Sequence, residues 1–139
     1  MHSEIIAVGS ELLSFGRIDT NSVHISSRLA TLGITVRFKQ VVGDRINDIS
    51  EALTLAAGRS EIIFVTGGLG PTTDDITREA VSLSLGLSMD EDDAVIRQME
   101  TMYRKWGRTM SANNRRQAMV PEGARVLANP NGTAPGLSL

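Results

Sequence analysis

The sequence predicts an α/β fold built on a mostly parallel sheet. Short apolar, β-branched runs alternate along the 139 residues with stretches whose apolar positions recur at helical spacing. The first three runs each close on a glycine, at Gly9, Gly43 and Gly67. Strand–helix alternation of this kind implies right-handed crossovers, and ligands of such sheets bind outside the carboxyl ends of the strands. Glu11, Asp44, Asp74 and Asp75 follow those glycines closely, so all four are expected on one rim.

Taken in order, Ile5–Val8 predicts a strand buried on both faces. A helix follows from Thr20 or Asn21, with Ile25, Leu29 and Leu32 inward and Gly33 just past its end. Residues 34–42 supply the second strand. Asp48 and Glu51 resemble a capping box that opens a helix burying Ile49, Leu53, Ala56 and Ala57. Residues 61–65 form the third strand, and Ile76, Ala80, Leu83 and Leu87 mark one face of the helix after it. The acidic group at 90–93 suits the start of another helix, whose stripe of Ile96, Met99, Tyr103 and Trp106 predicts core packing for the single tryptophan. A short helix at 113–119 and a fourth strand at 125–128 precede the turn-rich segment 129–136.

Composition narrows the function classes. A hydrophobic content of 41% and a charged content of 22% describe an ordinary globular chain of one domain. A net charge of −2 argues against a nucleic-acid binder, whose footprint is a basic face. The clusters Arg104/Lys105/Arg108 and Arg115/Arg116 read as solvated helix faces, with phosphate contacts the alternative. The absence of cysteine fits the cytoplasm, and no apolar run is long enough to span a membrane, so neither a signal peptide nor a membrane partner is expected.

The chemistry concentrates in Thr66-Gly-Gly-Leu-Gly-Pro-Thr-Thr-Asp-Asp-Ile-Thr77. Glycines let backbone N–H groups approach a ligand at positive φ. Thr72, Thr73 and Thr77 add hydroxyl donors, and the following helix adds its positive end. The pattern is neither a P-loop nor a dinucleotide fingerprint, but it suits phosphate or pyrophosphate. Clustered carboxylates repel one another, so Asp44, Asp74 and Asp75 predict a hard divalent cation, Mg²⁺ or Mn²⁺, held together with substrate phosphates. His2 and His24 are too few and too scattered for a histidine metal site. A second glycine turn at 131–136 reads either as a plain surface turn or as another wall of the same pocket.

The segment Thr66–Ala80 closely resembles the signature of the competence/damage-inducible protein A (CinA) family. Gly9-Ser-Glu-Leu-Leu13, Asp19-Thr-Asn21, Val42-Gly-Asp44, Asn114-Arg-Arg-Gln-Ala118, Pro121-Glu-Gly-Ala124 and Gly132-Thr-Ala-Pro-Gly136 fall in that family's order. The resemblance covers essentially the whole chain. It implies a three-layer α/β/α fold similar to molybdopterin-binding domains, with a pocket for a nucleotide or pterin phosphate, and a homo-oligomer. It also implies divalent-metal-dependent hydrolysis of ADP-ribose to AMP and ribose 5-phosphate, with Mg²⁺, Mn²⁺ or Co²⁺. Asp75 and Asp44 are then the catalytic pair, and Asp44, Asp74 and Asp75 the metal ligands. Ligand binding falls to Glu11, Asn21, Thr66, Gly67, Gly68, Gly70, Pro71, Thr72 and Thr77, to Asn114 and Gln117, and to Gly132, Thr133, Ala134, Pro135 and Gly136. The family domain normally continues past this last turn, so the single domain 1–139 is expected to lack a strand and a pocket wall at its end. Alternative readings are a pterin-phosphate binding module that hydrolyses nothing, which Asp74 and the Pro71–Thr73 loop weigh against, and an inactive fragment.

Overall fold

The computed structural model describes residues 1–139. Its centre is β1, His2–Val8, whose last six residues are all buried. Successive side chains of a strand point to opposite faces, so Ile6 and Val8 serve one face and Ile5 and Ala7 the other. β2 (Thr35–Val42) and β3 (Ile62–Thr66) flank it in parallel, giving the order β2-β1-β3. Val8 lies level with Val42, and Ala7 with Thr66. The three strands therefore finish together and form the expected rim.

From β1 the chain crosses to one side through α1 (Thr20–Thr31), then back over β1 to the other side through α2 (Ile46–Ala57). Right-handed crossovers in opposite directions put their helices on opposite faces, which gives the three-layer α/β/α arrangement. α2 packs on α3 (Thr77–Leu85), and Ile49, Ala52, Ala56 and Ala80 meet Ile6 and Val8 in the main core. A second core of Val95, Ile96, Met99 and Ala118 lies under α4 (Asp93–Lys105) and the 3₁₀ helix Ala112–Ala118.

Several expectations change. Residues 125–127 do not extend the sheet. They form β6, which pairs antiparallel with β7 (Gly136–Ser138), because Val126 packs on the second core and away from β3. Asp90 and Glu91 belong to a strand, β4 (Met89–Glu91), antiparallel to β5 (Met119–Pro121). Asp92 alone caps α4, accepting from the N–H groups of Ala94 and Val95 at 2.8 and 3.0 Å. The cap of α1 is Asp19, which accepts from Ser22 N–H at 2.9 Å. α2 starts at Ile46, so Asp48 and Glu51 lie inside it and make no capping box. Leu32, Ala57, Leu83 and Trp106 are exposed. Each stands in the last turn or cap of its helix, where apolar periodicity fixes a direction but no neighbour remains to cover it. Trp106 is half-exposed and packs edge-on with Tyr103, their ring centres 5.7 Å apart.

The sheet carries one buried charge. Glu4, fully enclosed on β1, accepts from Arg59 at 2.9 and 2.5 Å, from Gln40 at 2.8 Å and from Ser60 at 3.1 Å. Arg59 in turn stacks on Phe38, 3.9 Å from the ring centre. The Arg59 bonds hold the Glu4 carboxyl below its ordinary range against the opposing push of burial. A carboxyl lowered by folding stabilises above its unfolded value, near 4.5, and loses that contribution as the pH falls below it. Glu4→Ala is therefore expected to cost about 3 kcal/mol at pH 7, since it strands buried donors. Urea unfolding at pH 7 and at pH 3.5 should show the gap between wild type and variant narrowing in acid. A gap that widens would refute the assignment.

Candidate functional site

The glycine loop is built by exclusion of side chains. Gly67 and Gly68 take φ of 94° and 61°, in the region that favours glycine. A Cβ at Gly67 would overlap the Val8 carbonyl oxygen, and one at Gly68 would overlap the Thr77 hydroxyl. At Gly70 it would sit 2.5 Å from the Asp75 carboxylate. The loop thus lies directly on the end of β1. Thr77 ties it down, donating its hydroxyl to Gly67 O at 2.8 Å and its N–H to Gly68 O at 3.2 Å. Asp75 accepts from the N–H and the hydroxyl of Thr72 at 2.9 and 2.7 Å.

Two of the expected hydroxyl donors, Thr72 and Thr77, therefore donate within the loop and are not free for a ligand. Backbone takes their place. No acceptor in the chain receives the N–H groups of Gly68, Leu69, Thr73 or Asp74. Amides left open at a strand end and just before a helix form an anion-binding concavity. Burial pushes the Asp75 carboxyl up, but Thr72, the Gly70 N–H and the Arg78 charge outweigh it and keep Asp75 below the ordinary range.

Around this loop the rim assembles as expected in part. Asn21 on α1 donates to the Thr66 hydroxyl at 3.3 Å, joining two predicted positions. Asp44 and Ser10 form a reciprocal pair: Ser10 N–H donates to Asp44 at 2.8 Å, and Asp44 N–H to the Ser10 hydroxyl at 3.0 Å. Ser10 was not singled out by its sequence context. Glu11 folds back over Gly9, within 2.7 Å of where a Cβ would stand. Pro71 is half-buried and Asp74 exposed.

The later positions form a separate group. Asn114 accepts from the N–H and hydroxyl of Ser111 at 2.9 and 2.7 Å, closing the start of the 3₁₀ helix. Gln117, buried, accepts from Thr133 at 2.9 Å, while Asn129 donates to Ala134 O at 2.8 Å. Pro135 is buried, Gly132 lies within the connection between β6 and β7, and Gly136 opens β7. Their side-chain bonds stay within this group. Its link to the glycine loop is the ion pair between Arg116 and Glu79 of α3, at 2.9 Å.

No three Asp, Glu or His side chains come together as metal ligands. The trio Asp44, Asp74 and Asp75 is not gathered, because Asp44 follows β2 and the aspartates follow β3, with β1 between them. Two strand spacings are about 10 Å, against metal–oxygen bonds of about 2.1 Å. The donor set fits a cation carried by ligand phosphates and held by one or two carboxylates at 74–75; it does not fit a cage made by protein alone. One residue sequence reasoning missed is Arg78, only 3% exposed, whose Nη1 donates to Leu69 O at 2.9 Å beneath the loop. The signal was available: a cation in the first turn of a helix opposes the dipole.

Gly67 supplies a direct check. Gly67→Ala is expected to destabilise by about 2–4 kcal/mol, combining a left-handed alanine with overlap at Val8. Gly107, at φ 65° with nothing around it, is the control, and its alanine variant should cost only about 1 kcal/mol. Thermal unfolding of both decides it; equal losses would rule out the Val8 contact as the constraint.

Comparison with known proteins places this geometry. Residues 4–139 match the family described as "Probable molybdopterin binding domain". A protein of Caldicellulosiruptor bescii named "Putative competence-damage inducible protein" is 46% identical over 137 residues, 99% of this chain and 33% of that protein. The chain spans about a third of the length of the curated relatives it matches. The crystal structure of CinA from Thermoplasma acidophilum, of unknown function, superposes with a TM-score of 0.88 at 32% identity, covering 98% of this chain and 79% of that one. The molybdopterin biosynthesis enzyme MoaB of Thermus thermophilus gives a TM-score of 0.57 at 25% identity, over 86% of this chain and 78% of that one. The chain belongs to the molybdopterin-binding-domain family, and within it to the CinA-type, competence-damage inducible group.

Proposed function

We propose that the rim binds a small phosphorylated molecule of the pterin type, with the phosphate on the 67–75 loop, and does so without hydrolysing it. The observation that carries this reading is the run of loop N–H groups without an internal acceptor, at Gly68, Leu69, Thr73 and Asp74. Unpaired backbone donors between a strand end and a helix start can bind an anion whatever the rest of the ligand is. The pterin assignment draws on the family description and on the MoaB relative, both of which name molybdopterin. This reverses the order in which the sequence ranks the two chemistries.

Hydrolysis of a nucleotide pyrophosphate, with ADP-ribose as substrate, is the second reading. One observation favours it: Asp75 is kept ionised at the edge of the phosphate loop, beside the exposed Asp74. A divalent cation held there with the ligand would neutralise charge building on a leaving phosphate. Asp75 itself orders Thr72, and the loop amides orient the phosphates. Phosphoryl transfer asks for little more than such positioning.

Calorimetric titration with a pterin phosphate and with ADP-ribose, each with and without Mg²⁺, Mn²⁺ or Co²⁺, separates the readings. The expected result is pterin-phosphate binding and no release of AMP. Asp75→Asn keeps a carbonyl acceptor for Thr72, so binding should change by no more than about threefold. Metal-dependent AMP formation that Asp75→Asn abolishes would establish the hydrolytic reading instead. Failure of both ligands to bind would remove both readings.

A further inference from the structure

Arg78 is the most unusual charge in the molecule. It is 97% enclosed in the first turn of α3, directly under the glycine loop, and only one of its nitrogens is matched: Nη1 donates to Leu69 O. Nε and Nη2 are buried and have no acceptor. A guanidinium normally uses its donors as a fork on a carboxylate or phosphate. Here the nearby acids are otherwise engaged, since Glu79 pairs with Arg116 and Asp75 receives both bonds from Thr72.

Position compounds the oddity. The first turn of a helix already carries positive partial charge, so an arginine there is repelled by its own helix. Burial adds to the penalty and pushes Arg78 below the ordinary arginine range. The charges of Glu79 and Asp75 offset part of this penalty, and a negative group resting on the loop would add to that relief. The loop immediately above offers open N–H groups at Gly68 and Leu69. The carbonyl that Arg78 holds belongs to the Leu69–Gly70 peptide, whose N–H donates to Asp75, so Arg78 and Asp75 fix that peptide from its two sides.

We propose that Arg78 is a positioning residue that sets the charge preference of this cradle: it holds the Leu69 peptide and supplies a fixed buried positive charge, so that the site selects a phosphate dianion or pyrophosphate over neutral ligands of similar shape. This inference rests on the phosphate reading of the loop and adds the residue that tunes it. Asp75 offsets part of the charge in the free protein, and the phosphate completes the balance.

The first test uses the unaltered chain. The ¹⁵Nε–H resonance of Arg78 is followed by NMR during titration with inorganic pyrophosphate, inorganic phosphate and uncharged adenosine. It should move with pyrophosphate and not with adenosine, and a comparison of phosphate with pyrophosphate shows whether one phosphate group suffices. Affinities of Arg78→Gln and Arg78→Lys for pyrophosphate form the second arm. The glutamine variant should bind about tenfold more weakly and the lysine variant, which keeps the charge, within about threefold of the parent chain. If Arg78→Gln fails to fold, the resonance titration still decides. Pyrophosphate binding with a static Arg78 signal, or with undiminished affinity in a folded Arg78→Gln, would overturn this role and leave the phosphate loop intact. No binding of either anion by the unaltered chain would overturn the phosphate reading itself, and the proposal for Arg78 with it.

Discussion

Glu4 sits in the middle strand of a three-stranded sheet with no solvent around it, and it is a carboxylate. A charge in that position is tolerated only when every lone pair has a donor and a cation is fixed beside it. Gln40 reaches it from β2, and Arg59 and Ser60 from the segment leading into β3. One buried group thus recruits all three strands. It also sets their relative positions along the sheet, because a one-residue slip would turn Glu4 to the other face and away from its partners. With register fixed at this end, the other end is fixed too, and Val8 and Val42 arrive level at the rim with Thr66 one residue short of them. A narrow sheet has few other means of achieving this.

The rim exploits that level ending. Because β1 stops where β2 and β3 stop, the chain leaving β3 can lie across the end of β1, and only glycine fits at the crossing. The contact between Gly67 and the Val8 carbonyl is therefore a consequence of strand register as much as of loop sequence. Thr77 and Asp75 then hold the loop from its helical side. The side chains of Thr72, Asp75 and Thr77 serve the loop itself, while the N–H groups of Gly68, Leu69, Thr73 and Asp74 have no internal acceptor. The second cluster is also bonded internally: Asn114 closes the start of the 3₁₀ helix, and Gln117 ties that helix to Thr133 of the β6–β7 loop.

Much of this was legible in the sequence. Three β-branched runs and their closing glycines gave the parallel sheet and the location of the rim, since buried strands and strand–helix turns leave strong compositional marks. The partnership of Asn21 with Thr66 joined two residues that motif order alone had selected. What could not be read was extent and pairing. Leu83 and Trp106 follow the helical period faithfully and are still exposed, because period reports direction and says nothing of what lies opposite. Residues 125–127 look like any edge strand, and only the second core around Met99 decides that they pair with Gly136–Ser138. The reciprocal bond between Asp44 and Ser10 joins residues 34 apart, a distance at which spacing carries no information.

The division of labour inside the 66–77 motif bears on what kind of site it is. A catalytic constellation for phosphoryl transfer needs acidic groups free to hold a metal and hydroxyls or carboxylates free to orient a water. In this rim Thr72, Asp75 and Thr77 are bonded to one another or to the loop, and Asp44 is bonded to Ser10. Such internal bonding removes reacting groups but fixes geometry, so the cost of ordering the loop is already met before a ligand arrives. Preorganisation of this kind suits the anion binding proposed for the loop. Both Thr72 bonds fall on Asp75 Oδ2, so the carboxylate keeps lone pairs for a cation, while the positive charge of Arg78 opposes a cation that arrives without phosphate. On the proposed reading, the features that suit the loop to a phosphate also make it a weak cation site when empty, so a metal would arrive with the phosphate.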